Sequence, residues 1–482
     1  AQKRVRPDTA DPTGLLESGL TVLLPDMNPP IKDRMTRTEL RAGAALAFII
    51  SLRMLGLFLV LPVFAVFART LPGGDNIFWV GLAFGMFGLA QGVMQIPLGA
   101  ASDRFGRKRI IVIGLLLYAA GSAMAAWAPD INWMIAARIL QGSGAISAAA
   151  TALVADLVRD EHRTKIMAVI GTSIGLVFAA SLVLAPALYG WIGMEGIFLL
   201  IGGLALSGIP LLLFVVPDPE HAPVVKPAPF ARVLGDRQLM RLNFGMFVVH
   251  MVQMAMFLMV PLALVEVMGV PVAEHWTLYL PIVLASFVVM VPAIVWAEKR
   301  ARVKSVFLAS IVTLIASQFI FLAQVDLMWV LVGGLFVFFI AFNLLEALLP
   351  SLVSRIAPPA AKGAALGVFN TAQSIGAATG SAIGGAIALR FGAAGVFGFC
   401  VVLAVAWWLW ARSMQAPPVV ALREYAIGDH VDIEWLRERL LELPGVREAS
   451  VERERRMAYL KVNLELWDEE GVRRLLDAPV VA

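Results

Sequence analysis

Charge is the first scarcity in this chain: only 15% of its 482 residues are Asp, Glu, Lys or Arg, where a soluble globular protein carries about a quarter. Set against 59% hydrophobic residues, that deficit excludes an ordinary soluble enzyme and points to a membrane protein. Cysteine is rarer still: Cys400 is the single thiol, which rules out an internal disulfide and any cysteine-based metal cluster. The chain has no GxxxxGK[S/T] loop, so work driven by nucleotide hydrolysis is not indicated. Nor do a nucleophile, a base and an orienting group occur together in a recognisable spacing, and an enzyme with a catalytic centre is not expected.

Long apolar runs are abundant instead. A helix needs about 20 mainly apolar residues to cross a bilayer. Twelve such runs, bounded by charge or turn residues, fall near 41–67, 77–101, 109–128, 132–158, 166–189, 194–216, 241–265, 274–297, 305–324, 327–352, 364–389 and 393–412. An all-α membrane protein of twelve transmembrane helices follows. Cations crowd alternate loops: Arg104, Arg107, Lys108 and Arg109; Arg159, Arg163 and Lys165; Lys226, Arg232 and Arg237; Lys299, Arg300, Arg302 and Lys304. Intervening loops hold little beyond Arg69 and Arg390. Because Lys and Arg are retained on the cytoplasmic side, both termini are expected there. Trp79, Trp127, Trp133, Trp191, Trp276 and Trp329 lie near the opposite ends, where an amphipathic ring favours the interface.

Residues 1–40 read as a disordered or amphipathic leader without the layout of a secretory signal, and Met35 is a candidate start. The polar stretch 217–240 reads as a cytoplasmic linker between two six-helix bundles, 41–216 and 241–412. The halves echo one another, since Lys165 through Gly175 corresponds loosely to Lys362 through Gly376; such symmetry marks transporter folds built from repeats. After Arg412 the composition turns charged, and 413–482 reads as a small soluble α+β domain. Its predicted order is strand Val420–Ile427, helix Asp432–Leu443, strands Arg447–Glu454 and Met457–Asn463, and helix Asp468–Leu476, closed by Val480-Val481. That order suggests a ferredoxin-like domain.

The densest motif is Gly99-Ala100-Ala101-Ser102-Asp103-Arg104-Phe105-Gly106-Arg107-Lys108-Arg109. The chain must reverse here within a few residues, so Gly106 suits the turn and Gly99 suits close approach of a neighbouring helix. Topology alone explains Arg104 and Lys108. It does not explain Asp103, a carboxylate at a membrane helix end, which is unfavourable unless paired or placed at a helix N-terminus. This stretch resembles the GxxxDRxGRR/K loop signature of the major facilitator superfamily, and Arg138-Ile139-Leu140-Gln141-Gly142-Ser143-Gly144 resembles its RxxQGxG motif. With Ser51-Leu52-Arg53-Met54-Leu55-Gly56 and the soluble C-terminal domain, the chain is similar to a subgroup of proton-coupled drug antiporters.

The resemblance implies that Asp103 caps the start of the eleventh span and joins Arg107 and Asp156 in a charge cluster. That cluster, with Gly99, Arg104 and Gly106, would latch the two halves at the cytoplasmic face. It further implies a monomer in a bacterial inner membrane that moves a small-molecule substrate against protons, with the proton gradient and no cofactor as its energy source. The chain departs from the superfamily's pattern twice, and the first departure weighs against antiport. Ala185-Pro186-Ala187-Leu188-Tyr189-Gly190 keeps only the proline and the final glycine of the fifth-span signature G…GPxxGG, and Glu298-Lys299-Arg300-Ala301-Arg302 lacks the aspartate–glycine pattern. Pro186 is still expected to kink the fifth span. A uniporter or importer of a polar metabolite, and a transporter-like sensor signalling through the C-terminal domain, are the alternatives.

Ionisable residues inside spans are functional candidates because each is unfavourable in hydrocarbon: Arg53, Arg138, His250 and Glu346. Arg53 and Arg138, the latter beside Gln141, either hold an anionic group or a proton carrier's counter-charge, or are structural arginines satisfied by helix carbonyls. Glu346, with Asn343 one turn earlier, is the first candidate for a proton site, against a carboxyl that merely hydrogen-bonds a neighbouring helix. His250 is either a relay or a core hydrogen-bonder. Met246, Met251, Met254, Met256 and Met259, beside Gln253, give the seventh span either an adaptable surface for dissimilar apolar ligands or simple packing. Leu443-Pro444-Gly445-Val446 and Val451 resemble a heavy-metal-associated domain, but its two cysteine positions hold Asp429 and Asp432. Carboxylates are hard ligands, so soft-metal transfer is not expected and no metal site is assigned; Asp432 reads as a helix N-cap. With Tyr425 and Tyr459 as the only aromatic candidates on its expected strands, the domain lacks the pattern of an RNA-recognition strand, and nucleic acid is not an expected partner either. The domain's ligand stays open.

Overall fold

The computed structural model describes residues 35–218, 233–324, 327–357, 362–416, 420–427, 432–452, 456–463 and 466–476. The leader up to 34, most of the linker, Asp429 and Val480-Val481 lie outside the described residues.

The first bundle opens with α1 (Arg37–Val60). Thr36 starts it with a capping box: its hydroxyl accepts the Glu39 amide at 3.1 Å and the Glu39 carboxylate accepts the Thr36 amide at 2.8 Å. The helix breaks and resumes as α2 (Phe64–Thr70), and together these form the first expected span. Then come α3 (Ile77–Phe105), α4 (Arg107–Ala126), α5 (Ile131–Ser143), α6 (Ser147–Leu157) and the long α7 (Asp160–Phe214). The second bundle holds α8 (Arg237–Glu266), a 3₁₀ turn at Val272–Glu274, α9 (Trp276–Lys299), α10 (Val303–Gln324), α11 (Met328–Ile356) and α12 (Lys362–Ala411).

Nine of the described helices are long and apolar enough to cross a membrane. Two of these, α7 and α12, supply two spans each, and α5 with α6 supplies one more, which recovers the twelve. The reversals inside α7 and α12 fall at Gly193 (φ 66°) and Gly392 (φ 61°), a left-handed geometry that glycine adopts without strain. Both sit between the fifth and sixth spans of their own half, so the internal repeat extends to the joint. Pro186 lies inside α7 with helical dihedrals; the break comes at Gly193 instead.

Small residues bring the halves together. A Cβ on Gly81 or Gly85 of α3 would strike the carbonyl of Ser381 or Ala378 on α12, and one on Gly88 would stand 3.0 Å from the Ser374 carbonyl. Gly99 is different: a Cβ there would meet only the Ala148 methyl, at 3.4 Å. The close approach expected of Gly99 therefore occurs three turns earlier on the same helix. Arg69 and Glu266 add an ion pair at 3.4 Å, and Gly190 packs against Ala273. These joins lie at the end remote from the basic loops. The methionines of α8 at 246, 251, 254 and 256 are buried in the core, as is Gln253.

The C-terminal domain has β1 (Val420–Ala426), α13 (Ile433–Glu442), β2 (Val446–Glu452), β3 (Met457–Asn463) and α14 (Glu469–Leu476). Its sheet is antiparallel in the order β1-β3-β2, with Val420 opposite Asn463 and an irregularity between Val446 and Glu448. Leu436 and Leu440 of α13 and Val472 of α14 pack on Ala449, Ala458, Leu460 and Val462. Asp432 caps α13, its Oδ1 accepting the amides of Glu434 and Trp435 at 2.9 and 3.3 Å. This is the arrangement of a ferredoxin-like domain up to its last strand.

Candidate functional site

Two polar constellations stand out, one at the basic end and one within the spans. At the basic end Gly106, with φ 98° and ψ 138°, separates α3 from α4. Nothing lies within 4 Å of the Cβ it lacks, so backbone conformation rather than crowding selects glycine there. The turn delivers Arg107 to a cluster. Its Nε donates to Asp156 Oδ2 at 3.0 Å, its Nη1 donates to Ser102 Oγ at 2.8 Å, and the same amine pairs with Asp103. Ser102 Oγ in turn donates to the Gly99 carbonyl at 2.7 Å. Arg104 lies outside the cluster, its guanidinium over the Phe105 ring at 5.4 Å.

Asp103, Arg107 and Asp156 are thus brought together, but within one bundle. Among the described residues Asp103 makes no hydrogen bond or ion pair to α12, and its side chain is 65% exposed against 20% for Asp156. In this arrangement α3 and α12 are joined at their other ends. Glu39 reinforces the same face through a bidentate pair with Arg159, at 2.8 and 3.0 Å. In the second half Glu298 pairs with Arg355 at 2.5 Å, and Ala301 takes a positive φ of 53°. Ala301 stands three residues after Glu298 as Gly106 stands three after Asp103, so the degenerate loop keeps a positive φ at the matching position.

Within the spans Arg53 of α1 donates from Nη2 to Gln91 Oε1 at 2.8 Å and from Nη1 to Ser147 Oγ at 3.4 Å, with its guanidinium over the Tyr118 ring at 5.5 Å. Gln91 reaches Ser374 Oγ on α12 at 3.5 Å. The neighbouring Gln373 stands 2.6 Å from His250 Nε2. His250 Nδ1 lies 3.3 Å from the Met246 carbonyl and 3.6 Å from Glu346 Oε1, an oxygen that is buried and accepts no hydrogen bond. Arg53, Gln91 and Ser374 thus form one polar group across the two halves, and Gln373, His250 and Glu346 form a second, the two meeting at adjacent residues of α12. Asn343 stands aside from it, donating to Ser286 Oγ on α9 at 2.9 Å.

Arg138 is enclosed elsewhere. Its guanidinium lies over the rings of Phe87 and Phe64 at 4.7 and 5.5 Å and bonds Gln141, whose amide donates to Ser122 Oγ at 2.8 Å. The rings' negative faces stabilise the cation inside the first bundle. Gln91, Ser147, Gln373 and Ser374 escaped the sequence reading. They are neutral, and an uncharged Gln or Ser in an apolar run gives no hint of which helix it will meet.

Two repeated bundles of apolar helices that meet around buried polar side chains define a polytopic membrane transporter. The chain belongs to the major facilitator superfamily, whose sequence profile matches residues 46–381 and 282–429. It is 41% identical over 452 residues to the inner membrane transport protein YajR of Escherichia coli K12, covering 92% of this chain and 99% of that one. It is 32% identical over 349 residues to the uncharacterized transporter BU466 of Buchnera aphidicola from Acyrthosiphon pisum, covering 71% and 89%. The multidrug resistance protein MdtH of Yersinia pestis is 28% identical over 345 residues, covering 69% and 83%. Among solved structures, a bacterial homologue of the lysosomal transporter Spinster, inward-facing and occupied, shares the fold at a TM-score of 0.63 and 15% identity, covering 79% and 98%. The human organic anion transporter MFSD10 does so at 0.60 and 19%, covering 78% and 100%.

Proposed function

We propose that the chain is a secondary active transporter, monomeric in a bacterial inner membrane, that exports small amphipathic compounds in exchange for protons by alternating access. The observation that carries this reading is the Glu346–His250 pair, a carboxyl and an imidazole 3.6 Å apart between α11 and α8. Each can hold a proton, and the charge state of either sets the charge the other must balance. Such a pair, alternately open to the two sides, can carry a proton across. The inner-membrane and multidrug-resistance names of the relatives above agree with the direction and the kind of cargo.

The latch belongs to the same reading. With the basic loops in the cytoplasm, the joins at Gly81, Gly85, Gly88 and Arg69 close the periplasmic end. Asp103, Arg107 and Asp156 would then meet the second half only when that end opens. The test is a trapped pH dye in proteoliposomes, followed while cationic, neutral and anionic amphipathic compounds are added across a proton gradient. Compound-dependent proton flux that disappears in Glu346→Gln supports antiport through this pair. Labelled substrate that equilibrates with no proton movement makes the protein a uniporter and overturns the reading.

A further inference from the structure

Arg53 carries a charge that the first bundle does not neutralise. The residue is 2% exposed, and no carboxylate among the described residues lies within ion-pair distance of it. Of the five N–H groups on a guanidinium, one makes a good hydrogen bond to Gln91 and one a long contact to Ser147; Nε is buried with no acceptor. A buried cation surrounded only by neutral dipoles is strongly unfavourable unless something else completes its pairing. Arg138, whose Nε is likewise buried without an acceptor, has two aromatic faces and Gln141 around it. Arg53 has one ring, and its strongest partner, Gln91, is the side chain that crosses the seam to Ser374.

The seam between the halves is also aromatic. Phe58, five residues on from Arg53 in α1, packs edge-to-face on Phe178 of α7 with ring centroids 5.1 Å apart. Phe178 meets Phe342 of α11 at 5.4 Å, and Phe342 meets the His250 ring at 6.2 Å. These rings link α1 and α7 of the first half to the proton pair of the other, with Phe178 and Phe342 buried. We infer that Arg53 anchors the cargo and that the cargo is an amphipathic anion: a carboxylate seated on the guanidinium, with an apolar body along Phe58, Phe178 and Phe342. The inference rests on the transporter reading and narrows its substrate class. A guanidinium presents its donors in a planar fork that matches two carboxylate oxygens. Gln91 and Ser147 are neutral and only partly buried, so an incoming carboxylate replaces them without meeting a like charge. Export of an anion against an inward proton moves net positive charge inward, and an inside-negative potential drives it.

The test is equilibrium binding to the purified full-length protein in nanodiscs, with labelled naphthylacetate and its neutral amide as a matched pair. The wild type should prefer the acid by about tenfold or more, as a charge-assisted pair implies. Arg53→Gln should erase that preference and Arg53→Lys keep part of it. Gln91→Glu supplies an internal anion and should erase the preference with the arginine still present, so it decides the matter where Arg53→Gln fails to fold. Equal or absent binding of acid and amide by the wild type overturns the inference, as does a preference that survives undiminished in folded Arg53→Gln or Gln91→Glu. Binding needs no gradient, so a persisting acid preference beside absent proton flux would sink the antiport reading alone.

Discussion

At the scale of single residues, Gly106 and Ala301 form an internal control. Both follow an acidic residue by three positions and both have positive φ, at 98° and 53°, but only one is glycine. A left-handed non-glycine residue is unfavourable by roughly 1–2 kcal/mol, and the freedom glycine gains in the unfolded chain offsets about 0.4–1 kcal/mol of that. Ala301→Gly should therefore raise the melting temperature in detergent slightly, whereas Gly106→Ala should lower it by an amount equivalent to about 1–3 kcal/mol. An unchanged melting temperature for both would mean that neither loop constrains its helices. The two carboxylates of the cluster separate in the same way. Asp103 is exposed and paired with Arg107 on its own turn, a geometry worth about 0–1 kcal/mol. Asp156 accepts the Arg107 Nε from a more buried position, which is worth about 1–3 kcal/mol. Asp156→Asn should cost thermal stability, and Asp103→Asn should leave it nearly unchanged while slowing transport in proteoliposomes. Full-speed transport by inserted Asp103→Asn would remove the latch.

Among the elements, the helices were legible wherever a run was uniformly apolar and its ends were charged. The run 77–101 became Ile77–Phe105, and 109–128 became Arg107–Ala126. The breaks within the first and fourth spans escaped the sequence reading because each lies inside an unbroken apolar run, although Pro62 in the first and Gly144 in the fourth are breaker residues. The site divides along the same line. Arg53, His250 and Glu346 announce themselves because charge is rare in hydrocarbon, but Gln91 and Ser374 become a bridge only once α3 lies on α12. What lets α3 lie there is the glycine row, whose missing side chains admit the opposing carbonyls. Gly85→Val should pry α3 from α12 at the end remote from the basic loops. With Ser381→Cys as the reporter and Cys400 buried, maleimide should label the Gly85→Val protein faster than its parent. Equal labelling rates would show that the helices part regardless of the row.

For the whole molecule the question is what the C-terminal domain contributes. It has its own core, and its described hydrogen bond to the bundles runs from Arg447 Nη1 to the Arg355 carbonyl at 2.9 Å. Arg355 also pairs with Glu298, so the domain rests on the second bundle's counterpart of the charge cluster. A core in a domain this small rarely supplies more than about 3–5 kcal/mol, and one exposed hydrogen bond adds little to hold it against the bundle. Such a contact suits a reversible modulator better than a structural member. Deleting 413–482 should therefore leave compound-driven proton flux in proteoliposomes, and Arg447→Ala should leave it too. Flux lost in the deletion but kept in Arg447→Ala would mean that the domain acts through contacts other than this one. Flux lost in both, with membrane insertion intact, would place the Glu298–Arg355 pair in the transport cycle itself. The sensor reading requires a third result, intact flux with a ligand-dependent response that only the full chain gives, and differential labelling of the two proteins with cargo bound would reveal it.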